Sequence, residues 1–334
     1  MDNRIKVSFL SGDTIHNTLI EGSNTKTISF LIPTYNEEEN VRPLSEAIIQ
    51  QISAFDNYDY EIIFIDNDSG DDTRKILREM CSENPRIKAI FNAKNYGQFS
   101  SPFYGILQIN GDCAITLCAD FQDPVEMIPV FIKEWEDGNK IVLGQKVSSK
   151  ENKLIYAARS SFYWFMGKFA SIDYLKQVTG FGLYDRSFID MLKTIDEPAP
   201  VMRALTAELG YKIKLVPYEQ QKRRAGKSSN NFFRYYDAAV QNITGYTKIG
   251  VRLAMFIGIM SVLISTITCL CVGIYKIINW DTYSVSPFIL PLIAITMLSF
   301  NILFVGIVGE YVLDVKTHVK RRPLVIESER INFD

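Results

Sequence analysis

Short apolar runs rich in β-branched residues recur along the first half of the chain: TISFLIP (27–33), YEIIFID (60–66), RIKAIF (86–91), CAITLCAD (113–120) and KIVLG (140–144). The segments between them are patterned as helices and are long enough for crossovers. This alternation predicts a βαβ series, an α/β fold with a mainly parallel sheet and helices on both faces. Ligands of such sheets sit beyond the carboxyl ends of the strands, which is where the polar clusters of this sequence fall.

A different pattern begins after residue 250. Leu253 to Tyr275 and Tyr283 to Gly309 contain no charged residue, and each run exceeds the roughly 20 residues that a bilayer-spanning helix needs. Two transmembrane helices are expected, because a helix buried in a soluble core normally keeps a polar face and these runs show none. Pro287 and Pro291 sit near the start of the second run, where they are tolerable. Lys248 and Arg252 precede the first run, and Lys316, Lys320, Arg321 and Arg322 follow the second. That asymmetry predicts an integral protein of the inner or plasma membrane with its catalytic domain and C-terminus cytoplasmic. Residues 229–252 mix aromatic, basic and small polar side chains, as interfacial helices do. The expected division is therefore an extension at 1–26 with one strand near Lys6 to Leu10, a domain at 27–228, juxtamembrane helices at 229–252, the two spans within 253–309, and a tail at 310–334. Gly258, Gly273, Gly306 and Gly309 would let spans pack closely, which leaves a homo-oligomer open.

Composition changes this picture little. The formal charge of the 334 residues is -2 and 22% are charged, giving no case for a nucleic-acid partner. The five cysteines lack zinc-ligand spacing and read as reduced thiols. The N-terminus lacks the apolar stretch and cleavage site of a signal peptide.

Three strand ends carry candidate chemistry. The first run leads into Pro33-Thr34-Tyr35-Asn36-Glu37-Glu38-Glu39-Asn40, and the second into Asp66-Asn67-Asp68-Ser69-Gly70-Asp71-Asp72-Thr73. Their carboxylates can accept from a base N–H or ribose hydroxyls, and Tyr35 offers a surface to a flat base. Asn36 and Ser69 are equally good helix caps. The fourth run leads into Cys118-Ala119-Asp120-Phe121-Gln122-Asp123-Pro124, whose oxygens suit a hard divalent cation on a diphosphate. Asp123 can also cap a helix that starts at Pro124.

Taken together, IPTYNEEEN, IDNDSGDDT, NYGQ (95–98), ADFQDP, RRAGKSS (223–229), GEY and KRRP resemble the family 2 glycosyltransferases with the Rossmann-like GT-A fold, specifically the polyprenyl-phosphate glycosyltransferases. The resemblance runs from about Ile28 to Arg322. It implies that Pro33, Tyr35, Glu37, Asp66 and Gln98 hold the nucleotide, that Asp120 and Gln122 hold Mg²⁺ or Mn²⁺, and that Asp123 assists. It further implies an inverting transfer of a hexose from a nucleotide-sugar to a polyprenyl phosphate; the charge of that phosphate assigns Lys146, Arg203 and Arg223 to it, guanidinium forks being matched to phosphate oxygens. UDP-glucose and undecaprenyl phosphate are the default pair. Where the family has Asp-x-Asp the first position is Cys118, and its Gly-x-Arg reads Gly144-Gln145-Lys146. The sequence Arg159 to Met166, rich in aromatics, is read as core or as a guide for a prenyl chain. A processive polysaccharide synthase would carry Gln-x-x-Arg-Trp and more spans. A catalytically silent scaffold or flippase accessory would have no need of Asp66, Asp120, Gln122 and Arg223 together.

Overall fold

The computed structural model describes residues 6–11, 14–19, 25–148, 178–198, 200–225, 249–278, 289–319 and 322–333, with scattered positions between 161 and 177 and between 239 and 247. The chain opens with a hairpin of β1 (Lys6–Ser11) and β2 (Thr14–Leu19), one strand more than expected. The α/β series then follows as β3 (Lys26–Thr34), α1 (Val41–Ile52), β4 (Tyr58–Asp66), α2 (Thr73–Glu83), β5 (Ile87–Asn92), α3 (Gly97–Leu107) and β6 (Cys113–Thr116). After a short 3₁₀ turn at Val125–Met127 come α4 (Ile128–Glu136), β7 (Ile141–Ser148), β8 (Val178–Asp185), α5 (Arg186–Lys193), α6 (Met202–Glu208) and β9 (Ile213–Glu219). The long helices α7 (Ile249–Ile278) and α8 (Ile289–Val319) precede a last strand, β10 (Glu327–Ile331).

The main sheet has eight strands in the order β10-β5-β4-β3-β6-β8-β7-β9. Strands β5, β4, β3 and β6 are mutually parallel, as expected, whereas β8 runs antiparallel to both β6 and β7. Period-2 alternation explains why helices cover both faces. Ile28, Phe30 and Ile32 of β3, with Ile62 and Phe64 of β4, pack toward α1, α2 and α4. Leu31, Ile63, Ile65 and Ile90 face the opposite core with Phe103 and Ile106 of α3 and Phe188 of α5. Each such side chain fully buried contributes roughly 1.5–3 kcal/mol. Strand β8 departs from regular form at Gly182, where φ is 157° and an added Cβ would lie 2.2 Å from the Val142 carbonyl oxygen. Only glycine lets β7 and β8 approach there.

Successive strands step from β3 through β4 to β5, and the chain then returns to the other side of β3 to lay down β6. The sheet's switch point therefore lies between the carboxyl ends of β3 and β6, where ligands of such sheets bind. The opposite end of the sheet carries a structural ion pair. Glu61 is buried, with Oε2 2.8 Å from Lys88 Nζ and Oε1 accepting from Ser29 Oγ at 2.6 Å and the Asn110 N–H at 2.8 Å. Burial alone would raise its pKa, but these partners outweigh burial and hold the carboxyl below the ordinary range. A depressed folded-state pKa gives stability that is present above the unfolded value and lost as pH falls through the folded value. Glu61→Gln should therefore cost about 1–3 kcal/mol at neutral pH. Denaturant melts of wild type and variant should converge as the pH falls below the carboxylate range; an unchanged gap at low pH would contradict this assignment.

The expected two transmembrane helices, and with them the integral membrane location with a cytoplasmic domain and tail, are corrected by the structure. Among the described residues no helix is long and apolar enough to cross a membrane. Helices do form over both uncharged runs, and Leu263, Ile267 and Leu270 of α7 and Val305 and Val308 of α8 are exposed. Arg252 and Lys276 lie within α7, and Glu310, Asp314 and Lys316 within α8. The segment expected as a tail at 310–334 instead completes α8 and adds β10 antiparallel to β5. Most of the expected interfacial segment 229–252, and most of the aromatic stretch 159–166, lie outside the described residues.

Candidate functional site

The loops after β3 and β4 are stitched together by side chains the sequence could assign to helix caps. Asn36, in a left-handed conformation with φ 56°, donates its N–H to Ser69 Oγ at 2.8 Å and accepts the Gly70 N–H at 2.8 Å. The Glu37 N–H donates to Thr73 Oγ1 at 2.9 Å, and the Asp72 N–H to Glu38 Oε2 at 2.9 Å. The helices α1 and α2 begin later, after Asn40 and Asp72. Beneath this seam Asp66 is wholly buried. Its Oδ2 accepts from Arg74 Nε at 2.6 Å and from the Ser69 N–H at 3.1 Å, while Oδ1 has no partner. A buried carboxylate oxygen without a donor is costly unless a ligand supplies one.

The loop after β6 turns at Phe121, φ 61°, and folds Asp120 back so that its Oδ1 accepts the Gln122 N–H at 3.0 Å. Asp120 Oδ2 lies 2.8 Å from one guanidinium nitrogen of Arg223, whose other arm is 3.4 Å from Glu37 Oε1. Two neighbouring strand ends are thus joined through a residue that follows β9. Burial pushes the Glu37 carboxyl up, partly offset by a hydrogen bond from Asn40 and the charge of Arg223. Asp123 is not turned toward this group. Its Oδ2 accepts the Cys118 N–H at 3.1 Å and its Oδ1 accepts the Tyr218 hydroxyl at 3.1 Å, so it latches the turn to β9 rather than capping the helix after Pro124. Burial raises the Asp123 carboxyl, and the Asp123 charge beside it raises the Cys118 thiol well above its usual value. Lys146 is near enough for its charge to oppose both shifts.

Among the described residues there is no group of three or more His, Cys, Asp or Glu side chains suited to hold a metal. With both Asp123 oxygens engaged, the donors left on this turn are one Asp120 oxygen and the Gln122 amide. That pair fits Mg²⁺ or Mn²⁺ shared with a substrate diphosphate, since such ions are held by one or two carboxylates plus phosphate oxygens and water. The remaining candidates stand on separate elements. Pro33 and Tyr35 are half-buried at the end of β3, and Gln98 is exposed in the first turn of α3. Lys146 lies on β7 beside Tyr218 of β9, and Arg203 in the first turn of α6. The structure brings Glu37, Asp120 and Arg223 into direct contact.

Residues 29–190 match the model of Glycosyl transferase family 2. The chain is 26% identical over 311 residues to the SfII prophage-derived bactoprenol glucosyl transferase of Shigella flexneri, covering 91% of this chain and 99% of that protein. It is 29% identical over 313 residues to the uncharacterized glycosyltransferase YkcC of Bacillus subtilis, covering 92% and 94% respectively. This chain is a glycosyltransferase that carries a family 2 domain over residues 29–190. Among solved structures it is similar to the glucosyl-3-phosphoglycerate synthase of Mycobacterium tuberculosis in complex with Mn²⁺, UDP-glucose and phosphoglyceric acid, at 18% identity and a TM-score of 0.42, covering 66% of this chain and 78% of that one.

Three residues of the glycosyltransferase site escape a reading by motif. Arg74 fixes Asp66, and its other nitrogen donates to the Asn92 carbonyl at 2.5 Å. Tyr218 latches Asp123. Asn67 stands where the family pattern has a second Asp, and that substitution is the signal that could have drawn notice. Its Oδ1 accepts from Asn92 Nδ2 at 3.1 Å and the Tyr96 N–H at 2.8 Å, and its Nδ2 donates to Asn95 Oδ1 at 3.0 Å and the Gly97 carbonyl at 3.1 Å. Every donor and acceptor of this carboxamide serves the 95–98 loop and its support. Asn67→Asp would set a carboxylate against two acceptors. It should cost about 1–3 kcal/mol of stability and speed amide exchange at Tyr96 and Gly97, read by hydrogen exchange and thermal melts. Wild-type protection at both amides would show that Asn67 does not hold the loop.

Proposed function

We propose that this glycosyltransferase, using a GT-A catalytic domain, moves a hexose from a nucleotide-sugar to a polyprenyl phosphate with inversion at the anomeric carbon. The observation that carries the reading is the convergence of Glu37, Asp120 and Arg223 at the sheet's switch point, one strand away from the unpartnered Asp66 oxygen. Relatives named bactoprenol glucosyl transferases support the lipid phosphate acceptor and favour glucose as the sugar.

In this mechanism Asp66 Oδ1 accepts an N–H of the base, with Pro33 and Tyr35 beside it and the 95–98 loop carrying Gln98 nearby. Asp120 and Gln122 would hold Mg²⁺ or Mn²⁺, which supplies positive charge to the departing diphosphate. The acceptor phosphate is already ionised near neutral pH, so its oxygen attacks the anomeric carbon without a dedicated base. A new C–O bond forms as the bond to the nucleoside diphosphate breaks, turning an α-linked donor into a β-linked product. Catalysis then consists of positioning and charge neutralisation. Arg223, Lys146 and Arg203 supply the cations for the acceptor, the guanidinium fork being matched to phosphate oxygens.

The test is a donor screen. The purified full-length chain is incubated with Mg²⁺, undecaprenyl phosphate in detergent, and radiolabelled UDP-glucose, UDP-galactose, UDP-N-acetylhexosamines or GDP-mannose. Label should enter the lipid from UDP-glucose most rapidly. No labelled lipid from any donor, together with no nucleotide binding, would overturn the transferase reading of this site.

A further inference from the structure

Arg223 is held by more than its two ion pairs. The segment after β9 lies across the Asp120 turn: the Gln221 N–H donates to the Gln122 carbonyl at 3.2 Å and the Arg224 N–H to the Asp120 carbonyl at 3.1 Å. The Arg224 guanidinium lies 5.1 Å from the centre of the Phe121 ring, and Asn40 Nδ2 reaches the Ala225 carbonyl at 3.5 Å. This strap delivers the Arg223 guanidinium to Asp120 Oδ2, the carboxylate oxygen left for a cation after Oδ1 has taken the Gln122 N–H. Asp120 is 6% exposed at its side chain and Arg223 28%, so their attraction is only partly screened by solvent.

We infer that Arg223 is the resident counter-ion of the metal turn, and that a divalent cation must displace it from Asp120 before the guanidinium is free to bind the acceptor phosphate. A divalent cation approaching Asp120 Oδ2 meets the guanidinium 2.8 Å from that oxygen, and repulsion between the two positive charges favours exchange over sharing. One residue thereby does two tasks in succession. It neutralises Asp120 and Glu37 when the site holds no substrate, and it becomes available for the lipid phosphate once the metal has taken Asp120. The order of binding follows: metal and donor first, acceptor afterwards. Removing Arg223 would improve one binding step while impairing a later one. The exchange rests on the glycosyl-transfer reading above, but it is read by metal binding alone.

The experiment titrates the full-length chain with Mn²⁺ in the presence of saturating UDP, beside a protein-free UDP control for ion held in solution, and follows the free ion by electron paramagnetic resonance. Arg223→Gln should bind Mn²⁺ about fivefold more tightly than wild type, the size expected for removing one partly exposed ion pair. Arg223→Lys, which keeps the charge, should stay within about twofold of wild type. Equal or weaker Mn²⁺ binding by Arg223→Gln would overturn the inference, and so would the absence of any Mn²⁺ binding by wild type. Neither result touches the donor screen, so the two readings fail separately. A wild-type measurement does not depend on how the variants fold: Mn²⁺ should speed tryptic cleavage after Lys222, Arg223 and Arg224 by releasing the strap. Unchanged cleavage at saturating Mn²⁺ would also overturn it.

Discussion

Asp120→Asn should lower the rate of sugar transfer about a thousandfold, the scale of losing one preorganised charge-stabilising group. Nucleotide affinity should move far less, because the groups assigned to the base lie on β3, β4 and their loops rather than on the β6 turn. The substitution is chosen to isolate charge from shape. An asparagine can still accept the Gln122 N–H that Asp120 Oδ1 accepts at 3.0 Å, so the turn keeps its form. What disappears is the negative charge that now faces Arg223 and that would anchor the cation. Arg223 retains Glu37 at 3.4 Å as a partner, which limits the cost to folding. The expected pattern is thus a fall in kcat with little change in melting temperature or in the KM for the donor. Near-normal turnover would place charge neutralisation elsewhere. A fall in donor affinity equal to the fall in rate would mean that Asp120 binds the ground state rather than serving the transfer.

Much of this arrangement was legible in the sequence wherever one physical signal dominated. Strands β3 to β6 were readable because buried parallel strands need apolar side chains on both faces, and Phe30, Leu31, Phe64 and Ile65 supply them in alternation. The polar segments after those strands followed from topology, since the carboxyl ends are where such a sheet opens. Strands β8, β9 and β10 were less legible for separate reasons. The Gly180 and Gly182 pair dilutes the strand pattern of β8, yet Gly182 is what permits its contact with β7. Pro217 argues against a strand, and it is tolerated because β9 lies at the edge of the sheet. The charged sequence of β10 pairs only with β5 at the opposite edge, where Arg78 meets Glu329 at 2.7 Å. The uncharged runs after residue 250 predicted helices but not the outcome for spans, since among the described residues no helix is long and apolar enough to cross a membrane. Least legible was the Arg223 bridge. Glu37 and Arg223 are 186 positions apart, and no local pattern specifies that β9 lies close enough to return its following loop to β3.

Asp66 should separate nucleotide recognition from stability more sharply than any other residue of the site. Its carboxylate does two tasks on two oxygens: Oδ2 neutralises Arg74 and Oδ1 stands free. Asp66→Ala removes both and leaves a guanidinium that is 23% exposed at its side chain without its main partner, although Asp68 lies 3.4 Å away. Breaking a buried pair from one side costs about 3–5 kcal/mol, and the second partner places this case near the lower end. Arg74→Met should be destabilising in the same range, since it strands a wholly buried carboxylate. The double variant should recover part of the loss, because neither charge is then left alone. Binding of UDP divides the variants differently. Both that lack Asp66 should lose about a hundredfold in affinity, the size of a hydrogen bond to a charged acceptor, while Arg74→Met keeps the acceptor and loses much less. Calorimetric titration with UDP beside denaturant melts of all three proteins reads both effects. If the double variant, restored in stability, also recovered UDP affinity, Asp66 would be a structural partner of Arg74 and the base would be held by other groups.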